Sequence, residues 1–179
     1  MTPRPRLATI AAVLTLVLVS CGGDPSVPEP SPEIRAGNAT DAPLLPTSAD
    51  ALPTMDPETF RTLLGQLEGT PVLVNFWGSW CPPCWVEMPR LVAAHDEFGD
   101  RVQFLGVDIE DSRPEARAFM EEFGMTFPSV FDVPDAIKTD LGYFGQPVTI
   151  FFRADGGFDF AYAGPLPERV LRRHLEAIL

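Results

Sequence analysis

Lysine is almost missing from this chain: of 13 basic residues only Lys138 is one. We read that bias as codon usage rather than chemistry. Histidine is scarce as well, limited to His95 and His174. They stand far apart and outside ligand spacing, and a zinc site built on one CxxC needs a second CxxC or paired histidines. Neither a metal nor any other cofactor is therefore expected. Net positive charge is absent. The formal charge is −12, which argues against nucleic acid and anionic lipid surfaces as partners, since both attract Lys and Arg. The apolar run at residues 7–19 is shorter than the roughly 20 residues that comfortably span a bilayer. No internal repeat is visible. Cysteine is limited to Cys21, Cys81 and Cys84, an odd number that cannot pair completely within one chain.

What is present fits one folded domain with a tail. The chain has 179 residues, 45% hydrophobic and 21% charged, enough apolar content for a real core. Residues 1–20 place Arg4 and Arg6 before the apolar run, and no acidic residue precedes Asp24. That order is a secretory signal. It ends in Leu18-Val19-Ser20-Cys21, which resembles the bacterial lipobox, where cleavage precedes the cysteine and its sulfur receives lipid. A lipidated Cys21 would also leave the CxxC to stand alone. The bland alternatives are an uncleaved anchor or an ordinary signal cut nearby. Residues 21–52 are rich in Pro, Ser, Ala, Asp and Glu without apolar periodicity. They read as a disordered, partly polyproline spacer, because such a segment cannot bury enough surface to offset its ordering entropy.

The folded part is expected over residues 53–179. Asp56-Pro57-Glu58 starts a helix, with Asp as N-cap and Pro at the first helical position. Residues 71–77 form a dense β-branched and aromatic run, a strand buried on both faces. A helix is expected over 81–98, a second buried strand over 102–108, and an amphipathic helix over 113–123, closed by Gly124. A short helix follows over 135–141. Strands over 148–153 and 158–163 join across Asp155-Gly156-Gly157, a hairpin signal. A last helix covers 167–179. The order α-β-α-β-α-α-β-β-α describes an α/β fold, a mixed sheet with helices on both faces.

The chemistry sits in Trp77-Gly78-Ser79-Trp80-Cys81-Pro82-Pro83-Cys84, where a buried strand gives way to a helix. Cys81 falls at the helix N-terminus, where unpaired N–H groups and the helix dipole favour a thiolate. A lowered pKa makes it the attacking sulfur. Cys84, one turn on, can close a disulfide and resolve the mixed disulfide that Cys81 forms. Pro82 and Pro83 suit a first turn, where no N–H partner is lost. A purely structural disulfide over so short a loop would constrain little.

Residues 74–89, VNFWGSWCPPCWVEMP, resemble the TlpA/ResA/CcmG branch of the thioredoxin superfamily. So do Glu87 and Pro89 as a Glu-x-Pro after the CxxC, Pro147 before a strand, the closing hairpin and helix, and the long stretch before Pro147. The resemblance covers about residues 55–179. It implies a thioredoxin fold with an extra segment before a cis-proline at Pro147, and that Gln146 presents its backbone to substrate. Asn75 stands where thioredoxin carries a buried Asp, so the acid/base role passes to Glu87, one turn beyond Cys84. A solvated helix glutamate is the competing reading. Trp80, Pro82, Pro83 and Gln146 are the expected substrate-facing residues. Trp77 is read as partly core and partly rim, Trp85 as exposed, and both histidines as surface residues. The resemblance implies an extracytoplasmic, lipid-anchored, monomeric enzyme on the outer face of the cytoplasmic membrane. It would take electrons from a membrane thiol donor and reduce protein disulfides, in this branch usually those of apocytochrome c. A disulfide-forming oxidant or isomerase is the alternative, since direction depends on potential. A copper chaperone is a third reading, disfavoured because copper carriers on this fold use longer cysteine spacing and a distal histidine.

Overall fold

A computed structural model of the chain describes residues 42–179. Cys21, the signal at 1–20 and most of the expected spacer lie outside the described residues. None of the described helices is long and apolar enough to cross a membrane.

The first helix, α1 (Pro57–Gln66), begins where Asp56 accepts the Thr59 N–H at 2.8 Å with Pro57 at the first position. It leads to β1 (Val72–Trp77), α2 (Pro82–Phe98), β2 (Gln103–Ile109) and α3 (Arg113–Phe123). Then come β3 (Ser129–Asp132), α4 (Ala136–Asp140), β4 (Val148–Phe152), β5 (Phe158–Ala163) and α5 (Glu168–Ile178). The five strands form one sheet in the order β3-β2-β1-β4-β5. β1 pairs in parallel with β2, and β2 with β3; β4 runs antiparallel to β1 and to β5.

The two faces of the sheet bury different clusters. Val72, Val74, Phe76, Leu105, Val107 and Ile150 face α1 and α4, whose Phe60, Leu63, Leu64 and Ile137 cover them. Leu73, Trp77, Phe104 and Phe151 face α2, α3 and α5, through Met88, Leu91, Phe119 and Leu171. This period-two division is why β1 carries no exposed residue.

The course of the backbone departs from the sequence reading in two places. Residues 129–132 form a strand where none was expected. The spacer also does not run free to residue 52. Leu44 and Leu45 pack against the α1 cluster, Ala49–Ala51 make a 3-10 turn, and Leu52 is fully buried in the α2 cluster. The Leu44 N–H reaches Gln66 Oε1 at 2.9 Å, and Gln66 Nε2 reaches the Ala42 carbonyl at 2.8 Å. Phe131 of β3 donates to the Pro53 carbonyl at 2.9 Å and accepts from the Met55 N–H at 3.1 Å. Leucine, absent from the rest of the proline-rich stretch, occurs at Leu44, Leu45 and Leu52, and these three draw this end of it onto the domain.

Candidate active site

β1 ends at Trp77, and the chain turns over Gly78-Ser79-Trp80 into α2. The turn is tied to the loop after β2. Ser79 N–H donates to Asp111 Oδ2 at 2.6 Å, and Trp80 Nε1 donates to the Ile109 carbonyl at 3.1 Å. Trp85 Nε1 closes it from the helix side on the Ser79 carbonyl at 2.7 Å. Gly78 has to be small here: a Cβ would lie 2.7 Å from Trp80 Nε1 and 3.2 Å from the Ile109 carbonyl.

Cys81 is the N-cap of α2, and its sulfur accepts the Cys84 N–H at 3.3 Å. That N–H and the helix dipole both favour negative charge on Sγ of Cys81 once the bond is broken. The two cysteines are joined by a disulfide, with Cα atoms 5.3 Å apart. Both are almost wholly covered, Cys81 at 2% exposure and Cys84 at 0%. Pro82 is exposed and Pro83 half-buried. Trp80 is 45% exposed and Trp85 43%. Trp77 is not a rim residue. It is fully buried and stacks on Phe119 at 4.9 Å, because its strand position points it under α2 and α3. The Gln146–Pro147 bond is cis.

Glu87 is fully buried on α2, so it is no solvated helix residue. Asn75 Nδ2 donates to its Oε1 at 2.8 Å and to Thr149 Oγ1 at 3.0 Å. The Leu166 N–H meets its Oε2 at 2.8 Å, and Arg90 NH1 holds the Leu166 carbonyl at 2.8 Å. Two α2 residues one turn apart therefore grip the connection between β5 and α5. Burial pushes the Glu87 carboxyl up to about 7, against the pull of the Leu166 N–H, Asn75 and Arg90. A carboxyl poised near neutrality, one helical turn from Cys84, suits proton transfer to or from that thiol.

Sequence reasoning missed three groups. Asp108 is fully buried at the end of β2, opposite Trp77 in register. Burial, and then the charge of Asp111, push it up to about 9. Strand alternation could have found it, since Asp108 shares a face with Phe104. Lys138 is 1% exposed and paired with Asp135 at 2.8 Å, a buried ion pair that the scarcity of lysine gave no sign of. Arg90 and Leu166 meet only through the fold. The histidines are half-buried and engaged by neighbours instead of standing free on the surface. His174 stacks on Phe160 at 3.8 Å and bonds Asp159 at 2.9 Å. His95 packs edge-on against Phe104 and Phe127, and burial lowers its pKa.

A thioredoxin-type sheet with a CxxC at the start of α2 and a cis-proline before β4 defines a thiol–disulfide oxidoreductase. The chain belongs to the AhpC/TSA family, whose pattern matches residues 50–160. It is similar to the thiol-disulfide oxidoreductase ResA of Geobacillus thermodenitrificans, with 31% identity over 116 residues, 64% of this chain and 67% of that one. It is also similar to the thiol:disulfide interchange protein DsbE of Allochromatium vinosum, with 31% identity over 156 residues, 87% of this chain and 76% of that one. A secreted Mycobacterium tuberculosis disulfide oxidoreductase homologous to E. coli DsbE superposes with a TM-score of 0.58 at 25% identity. That match covers 63% of this chain and 84% of the other. These relatives are of the TlpA/ResA/CcmG type, and the chain is an enzyme of thiol–disulfide exchange.

Proposed function

We propose that the enzyme works as a reductant of protein disulfides outside the cytoplasm, held to the membrane by lipid on Cys21. The observation that carries the redox half is Glu87, buried and pushed up to about 7 one turn beyond Cys84. In the reduced enzyme the Cys81 thiolate attacks a client disulfide, forming a mixed disulfide and releasing one client thiolate. The Cys84 thiol passes its proton to the Glu87 carboxylate and attacks Sγ of Cys81. The Cys81–Cys84 bond forms, the mixed bond breaks, and the second client thiolate leaves and is protonated. Two electrons have moved from the enzyme to the client. A membrane thiol donor would then reduce the enzyme disulfide by the reverse sequence. A CxxCH segment of apocytochrome c is the client class that the resemblance favours. Trp80, Pro82, Pro83 and Gln146 would face it, with Pro147 against the redox pair.

The test is a redox titration of the Cys81–Cys84 pair. A reductant should fall toward thioredoxin, at about −270 mV, and away from strong oxidants at about −120 mV. A value at the oxidant end would reverse the direction of electron flow and favour the disulfide-forming reading. The anchor is tested separately. Cys21→Ala should move the protein from the membrane to the soluble fraction, and unchanged partitioning would remove lipid from the account.

A further inference from the structure

Lysine is almost never fully buried without a partner. Lys138 sits on α4, within the extra segment before Pro147, at 1% exposure. Its Nζ lies 2.8 Å from Asp135 Oδ2 and 3.1 Å from Gln146 Oε1. The helix that carries it is anchored at its start. Asp132 accepts the Ala136 N–H at 3.1 Å and the Ile137 N–H at 2.7 Å. The Tyr143 N–H closes back on the Lys138 carbonyl at 3.1 Å.

An ammonium group only donates. The carboxamide of Gln146 must therefore turn its oxygen to Lys138 and its NH2 the other way. Among the described residues no acceptor meets that NH2. Gln146 is half-buried and directly precedes the cis-proline. Without Lys138 the carboxamide could rotate by half a turn and offer either a donor or an acceptor. With it, only the donor is left.

We propose that Lys138 is a positioning residue that sets client specificity by fixing Gln146 as a hydrogen-bond donor. The favoured clients carry an acceptor, a side-chain carbonyl or carboxylate, beside the cysteine that is attacked. This rests on the reading above, in which Gln146 faces the client.

The test compares two disulfide peptides that differ at one residue flanking the attacked cysteine: N,N-dimethylasparagine, whose side chain only accepts, in one, and Trp, whose indole only donates, in the other. Rate constants are measured with the reduced full-length protein, and their ratio is read against that of Gln146→Met, which lacks the carboxamide. The wild type should exceed that baseline in favour of the acceptor peptide by about three- to tenfold, the range one net hydrogen bond supplies. Lys138→Met, whose Gln146 can turn either face to the client, should bring the ratio to the baseline, with the reduction potential of the cysteine pair unmoved. Lys138→Arg, which keeps a donor, should restore the preference. Equal ratios in the wild type and Gln146→Met would overturn the inference even if Lys138→Met folds poorly. A ratio that survives Lys138→Met overturns the inference. So does an equal loss on both peptides with a shifted potential, which would mark a structural role. A wild type that exchanges with neither peptide overturns the reading of the redox site itself, and this inference with it.

Discussion

Glu87 couples its own titration to the stability of the fold. Its folded pKa is about 7, raised by burial from an ordinary value of 4.5. A carboxyl raised in this way stabilises the protein fully below about pH 4.5. That contribution is lost as pH rises through about 7, because the charged form is the one that burial disfavours. The distance from 4.5 to about 7 corresponds to a loss of about 3 kcal/mol by pH 8. In Glu87→Gln a neutral amide replaces the carboxyl, and Asn75 has an unpartnered Oδ1 to offer its NH2. Urea unfolding of the oxidised protein from pH 5 to 8 should show the wild type losing stability faster than the variant. The buried Asp108 adds a slope of the same sign to both proteins, so the difference between them is the quantity to read. Equal slopes would mean that Glu87 does not titrate in this range. Cys81, Cys84 and Glu87 were all legible in the sequence, because CxxC and a following Glu-x-Pro are local patterns. The grip of Glu87 on Leu166 was not, since 79 positions separate the two.

At the scale of elements, β1, β2, β4 and β5 could be read from dense or alternating apolar runs, and α1 and α3 from their caps. β3 could not. Its four residues, SVFD, are too few for a periodic signal, and the strand exists because β2 lies on one side and residues 53–55 on the other. The crossing of β1, β2 and β3 also imposes a demand invisible in one dimension. Asn75, Gly106 and Ser129 share a row across the sheet. A Cβ on Gly106 would fall 2.2 Å from Ser129 Oγ and 2.7 Å from Trp77 Nε1. Both atoms are buried, and the indole cannot easily withdraw while stacked on Phe119. Gly106→Ala should therefore cost about 1–3 kcal/mol through overpacking. Adding Ser129→Ala should return part of that loss, as a double-mutant cycle of thermal melts would show. Fully additive effects would remove the clash as the cause.

The whole molecule includes more of the chain than its composition suggests. Residues 42–55 form a strap over α1, β3 and α3. Arg113 donates to the Leu52 carbonyl at 3.3 Å and to Thr54 Oγ1 at 2.6 Å, with its guanidinium 4.3 Å above the Phe131 ring. Composition misled because it averages over a segment, whereas burial is decided by single leucines. Leu52→Ala in the full chain should cost about 2–5 kcal/mol and lower the melting temperature by roughly 5–15 °C. A melt within a degree of wild type would show the strap to be dispensable. The strap also decides how two copies could meet. A sheet with two open edges can add strands at both and grow without limit. Here Pro53 and Met55 already occupy the outward N–H and C=O of Phe131 at the β3 edge. Among the described residues β5 pairs only with β4, so its far side is the flank left for edge-to-edge association, and growth from the β3 edge would first have to displace the strap.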